Sequence, residues 1–84
     1  MSRDEIERAR RLAEQVRRKQ RALAELAGQV AEAEERLAAT FEQMAEMAPD
    51  RAEELLDKAA FSRQIAHIER RHAAQYARSE GQGE

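Results

Sequence analysis

The chain holds few residues able to do chemistry, and the best-spaced of them are Glu69 and His72 in the run Glu69-Arg70-Arg71-His72. Side chains three apart on a helix share a face, so a carboxylate and an imidazole at this spacing can reach one ion. Both fall on the apolar side of the segment that carries them, where a charge is costly unless it is paired or bound to a metal. An earlier segment supplies Glu34, set between Val30 and Leu37 in what reads as an inner position. Nucleophilic catalysis has no comparable support: Ser62 lies on a packing face without an acid–base constellation beside it. There is no glycine-rich phosphate loop either. These absences favour a non-enzymatic protein.

One Glu on one helix and a Glu-x-x-His on the next, doubled by a dimer, resembles the ligand set of ferritin-like di-iron bundles. The closest likeness is to the two-helix encapsulated ferritins, whose site forms between subunits. The resemblance implies iron as the metal and Glu34, Glu69 and His72 as its ligands. Geometry leaves a second reading open. Reflection of the chain through the turn sets Glu69 opposite about Gly28 and Glu34 opposite about Arg63, displacing the two carboxylates by roughly 9 Å along the axis. Glu34 would then pair with Arg63, and Glu69 with His72 or with an Arg of a partner. Ala24, Ala27, Gly28 and Ala31, which face Glu69 and His72 in this register, either make room for a ligand or mark close helix packing.

A second set is basic: Arg8, Arg10, Arg11, Arg17, Arg18, Lys19 and Arg21. Residues 1–21 carry eight Arg/Lys against four Asp/Glu, a net +4, whereas residues 22–84 carry seven against thirteen, a net −6. Such an arm suits nucleic-acid phosphates, an acidic protein surface or a membrane surface. It also suits a solvated, self-paired helix surface, since Glu7–Arg11 and Glu14–Arg18 are favourable i,i+4 pairs. Three aromatic residues are too few for a platform that stacks single-stranded nucleic acid, and the absence of cysteine excludes disulfides and thiolate metal sites. His67 falls outside the apolar face and is expected to be exposed. No apolar run exceeds three residues, so no membrane span is expected. The opening residues lack the apolar stretch of a signal peptide, which makes the cytoplasm the default location.

The elements that position these residues are helical. Ala, Glu, Arg, Leu and Lys make up 53 of the 84 residues, a bias that signals long helices or coiled coil. Ser2 and Glu5 form a capping-box pattern, so a helix is expected over residues 3–47. Seven-residue spacing runs through it: Ala9, Val16, Leu23, Val30, Leu37 and Met44 form one row, with Ile6, Ala13, Gln20, Ala27, Glu34, Phe41 and Ala48 as its companion. Pro49 ends the helix and forces Ala48 out of helical geometry. Asp50 with Glu53 reads as a second capping box, starting a helix over about 51–78, followed by a flexible tail at 79–84.

So short a connection makes the helices antiparallel neighbours. The fold class expected is all-α: a two-helix hairpin of one domain over residues 1–80, with a basic arm at 3–21. Both apolar faces are wider than one contact needs, which points to hairpins dimerising into a four-helix bundle, or to a larger even oligomer. The functional expectation is a helical interaction or assembly module, partnered with itself, that presents its basic arm to a further partner. The alternatives are a small ferritin-like metal protein and an accessory protein that contacts nucleic acid.

Overall fold

A computed structural model of the chain describes residues 2–82. Two long helices dominate it: α1, Arg3–Met47, and α2, Ala52–Gln82, joined by one turn of 3-10 helix at Pro49–Arg51. There is no strand among the described residues. The helices fold back on each other as an antiparallel hairpin, a rod whose Cα extents are 71 × 14 × 13 Å.

The ends of α1 follow from single residues. Ser2, in extended geometry, accepts a hydrogen bond from the Glu5 amide at 3.2 Å through Oγ, satisfying one of the donors a helix start leaves open. Asp4 and Glu5 put negative charge in the first turn, where the helix dipole favours it. At the other end Ala48 takes φ −130° and ψ 75°, as a residue before proline must leave the α region. Its amide still reaches the Met44 carbonyl at 2.9 Å, and Arg51 donates to the Ala48 carbonyl at 2.9 Å.

Two boundaries differ from those read in the sequence. Asp50 does not cap the second helix: Ala48 takes the capping position, without a side-chain bond, and Pro49 the first helical one. Proline lacks an amide hydrogen and arrives with helical φ, so it opens the turn itself. Secondly, α2 does not stop near Arg78 but continues through Gln82. Ser and Gly in its last turn cost at most about 1 kcal/mol each, which weakens a helix without ending it. Of the tail expected at 79–84, residues 83–84 lie outside the described residues.

The seam between the helices is made of small side chains. In α1 the buried residues are Ala27, Ala31, Ala38 and Ala45; in α2 they are Leu55, Ala59, Ser62 and Ala66. Reflection through residue 50, the middle of the turn, sets Ala45 level with Leu55 and Ala38 level with Ser62, all four buried. The inner rows of α1 are therefore 24/31/38/45 and 27/34/41/48. The second of these rows was anticipated; the first was not. The row Leu23, Val30, Leu37, Met44, which the heptad pattern put at the centre, lies on a flank and stays exposed. Adjacent residues on a helix are rotated by about 100°, so the two helices approach over the alanines and leave the larger side chains to one side.

Little is enclosed by such a seam. Leu55, 1 % exposed, is the only large side chain that is fully buried among the described residues. The radius of gyration is 20.0 Å, against about 12 Å for a compact domain of this length. The accessible surface of 6702 Å² exceeds by about 1,600 Å² what a compact monomer of 9.6 kDa exposes.

Candidate interaction surface

The two long edges of the hairpin differ. Going round α1, the rows follow in the order Leu37, then Glu34 and Phe41, then Ala38, then Glu35 and Glu42. On α2 the matching order is Lys58 and Ile65, then Ser62 and Glu69, then Ala66, then Arg63 and Arg70. One edge therefore brings Glu35 and Glu42 beside Arg70 and Arg63. Glu35 accepts from Arg70 Nε at 2.9 Å, and Glu42 accepts from Arg63. These rungs lie seven residues apart on each helix and run in opposite order, which ties them to one antiparallel register. Both are half-exposed, so each contributes at most about 1 kcal/mol; their value lies in penalising a slipped register.

Among the described residues, no such ladder closes the other edge. Leu37 (42 % exposed) and Phe61 (63 %) flank an open groove there. It encloses about 410 Å³ and is lined also by Phe41, Ile65 and Ser62, with Glu34, Asp57 and Lys58 at its margin. Lys58 Nζ stands 5.9 Å from the centre of the Phe41 ring, within cation–π range, and 3.4 Å from Glu54 Oε1. Arg51 approaches Glu54 at 3.4 Å from the other side. Hydrogen bonding from Arg51, followed by that from Lys58, holds the Glu54 carboxyl below the usual glutamate range. Val30, Met44 and Ile68 prolong the apolar strip beyond the groove, and all three are exposed.

The residues of the di-iron resemblance are brought together only in part. Glu69 is half-buried at an inner position of α2, and its Oε1 lies 3.8 Å from His72 Nδ1, beyond hydrogen-bond reach. Glu34 lines the groove and mirrors Ala66, so it sits about one helical turn from the level of Glu69, closer than the sequence register implied. Even so, no group of three or more His, Cys, Asp or Glu that could hold a metal ion occurs among the described residues. The expected Glu34–Arg63 pair is replaced, because Arg63 lies on the ladder edge and reaches Glu42 instead. Gly28 is not a point of close approach: a Cβ added there meets nothing within 4 Å. Ala27 and Ala31, by contrast, are buried in the seam.

The basic arm lies at the open end of the rod. α1 has 45 residues and α2 has 31, so α1 outruns its partner by 14, or about 21 Å. With α2 ending at Arg78, as the sequence suggested, the overhang would have been longer. Two anticipated pairs are present, Glu7–Arg11 at 3.5 Å and Glu14–Arg18 at 3.0 Å. On the other side of the helix from these pairs, Leu12 and Val16 are 62 % and 55 % exposed. His67 is exposed, as its position implied, and no helix among the described residues is long and apolar enough to cross a membrane.

The groove was the part of this surface hardest to read in advance. Phe61, Ile65 and Ile68 were visible as part of a wide α2 face, but Lys58 and Asp57 were not singled out. The signal was the unbroken alanine row at 24, 31, 38 and 45, since the smallest row is where two helices can come closest. No protein-family model, curated protein or solved structure matches the chain.

Proposed function

We propose that the chain is a non-enzymatic helical assembly module, which self-associates through its open edge and presents the basic arm of α1 to a partner. The observation that carries this reading is the asymmetry of the hairpin. One edge is closed by ion pairs, while the other leaves Leu37, Phe61 and Ile68 exposed along a single strip. A contiguous apolar strip of this kind on a monomer marks an interaction site. The surplus surface of about 1,600 Å² is twice the roughly 800 Å² that a standard interface takes from each partner. Sedimentation equilibrium at micromolar concentration should return a dimer or a larger even assembly. A folded monomer would end this reading.

Two alternatives have their own tests. The di-iron reading has Glu69 and His72 adjacent in one chain and draws its remaining ligands from Glu34 and a second chain. Added Fe²⁺ would then raise the melting temperature, and Glu69→Ala would abolish the rise. In the assembly reading iron leaves the melting curve where it was. A nucleic-acid role of the arm would show as duplex binding that weakens steeply with salt.

A further inference from the structure

The proposed function leaves open what the basic arm meets, and the charge layout of the rod bears on that. Over residues 32–57, nine acidic side chains stand against two basic ones, a net −7, whereas residues 1–21 carry +4. With the α2 residues beside it included, the turn half (residues 26–74) keeps ten acidic against six basic side chains, a net −4, and the opposite end is basic. Two rods lying parallel would set acidic half beside acidic half. Lying antiparallel, each would set its basic end beside the partner's acidic half, which steers encounter and fixes orientation.

Apolar shape points the same way. The arm projects past the end of α2 with Leu12 and Val16 exposed, four residues apart and therefore on one helix face. The groove by Leu37, Phe41, Phe61 and Ile65 is an apolar channel wide enough to seat side chains and has acidic groups at its margin. If two rods overlap over their full length, the two-fold axis falls beside residue 26, midway between Arg3 and Pro49. That axis sets residues 11–15 of one chain beside residues 37–41 of the other. It also sets Arg17, Arg18, Lys19 and Arg21 beside the partner's 31–35, where Glu32 and Glu34 lie. The contact is reciprocal and closes on itself, as a two-fold interface must.

We infer that the partner of the arm is a second copy of this chain: the arm of each protomer lies in the open groove of the other, with Leu12 and Val16 over Leu37, Phe41, Phe61 and Ile65. This rests on the self-association proposed above and adds the orientation and the occupant of the groove. Each arm acts as a third helix on its partner's hairpin, while the middle of the dimer is four helices deep. It accounts at once for the overhang, for its apolar residues and for the groove.

The test uses the full chain, which has no cysteine, labelled at Glu14→Cys on the outer side of the arm. The spin–spin distance between protomers should be about 36 Å for this arrangement, about 57 Å if only the two-helix bodies overlap and the arms project freely, and under about 25 Å for parallel rods. In parallel, Leu12→Glu with Val16→Glu should raise the dimer dissociation constant on the order of a hundredfold. Circular dichroism at a concentration where the variant still dimerises should show the helicity of the parent, as both residues are exposed in the single hairpin. Leu56→Glu, on the ladder edge, should leave dimerisation as it was. A distance near 57 Å or below 25 Å, or a double variant that dimerises like the parent, overturns the arm-in-groove contact while leaving self-association standing. A parent protein that sediments as a monomer overturns both.

Discussion

Gly28 shows how a residue's size can mislead when its surroundings are not known. In the sequence it belongs with Ala24, Ala27 and Ala31 as a small residue opposite Glu69. In the structure the alanines line the seam, but the space beside Gly28 is empty to 4 Å. With no contact to lose, Gly28→Ala should raise stability by about 0.5–1 kcal/mol through helix propensity alone, measurable by chemical denaturation. Had the glycine allowed a close approach, the same change would destabilise. Glu54 offers a second local test. Its carboxyl is held low by Arg51 and Lys58, so its contribution is present above the ordinary glutamate pKa of about 4.3 and is lost as pH falls through the depressed value. Carboxyl NMR should find Glu54 titrating on the acid side of ordinary glutamates, and Arg51→Ala should move it back up.

At the level of elements, the sequence was most legible where one residue decides the outcome. Ser2 starts α1 and Pro49 ends it because hydrogen-bond geometry leaves few alternatives there. The i,i+4 pairs of the arm were equally readable, since helix geometry alone brings their partners together. Which heptad row faces the other helix was harder, because two adjacent rows were both apolar and the larger one looked like the core. A tight antiparallel pair selected the smaller row, which displaced Leu23, Val30, Leu37 and Met44 to the flank. The same rotation carried Arg63 to the ladder edge, which is why its partner became Glu42 rather than Glu34. The turn can be checked directly. Labels at Arg36 and Gln64, mirrored positions on the outer faces, should lie within about 25 Å in one chain, given interaxial distances of 8–10 Å. A single unbroken helix would separate them by about 42 Å.

For the whole molecule, the alanine seam has a consequence for how the protein folds. Each buried alanine offers only a methyl group to the seam, roughly 0.8 kcal/mol at the scale of one CH₂, and Leu55 alone adds a large enclosed side chain. So thin a seam leaves the single hairpin little buried apolar surface to set against the backbone entropy that ordering the chain costs. If the chain self-associates as proposed, much of what holds it in shape comes from contact with another chain, and unfolding becomes a reaction that changes the number of particles. The melting temperature should therefore climb with each tenfold increase in protein concentration, by several degrees, as calorimetry or circular dichroism would record. A melting temperature independent of concentration would mean that the hairpin is sufficient by itself. Abundance would then act as a switch: below a threshold supply the chains would be unfolded and open to proteolysis, and above it they would survive together.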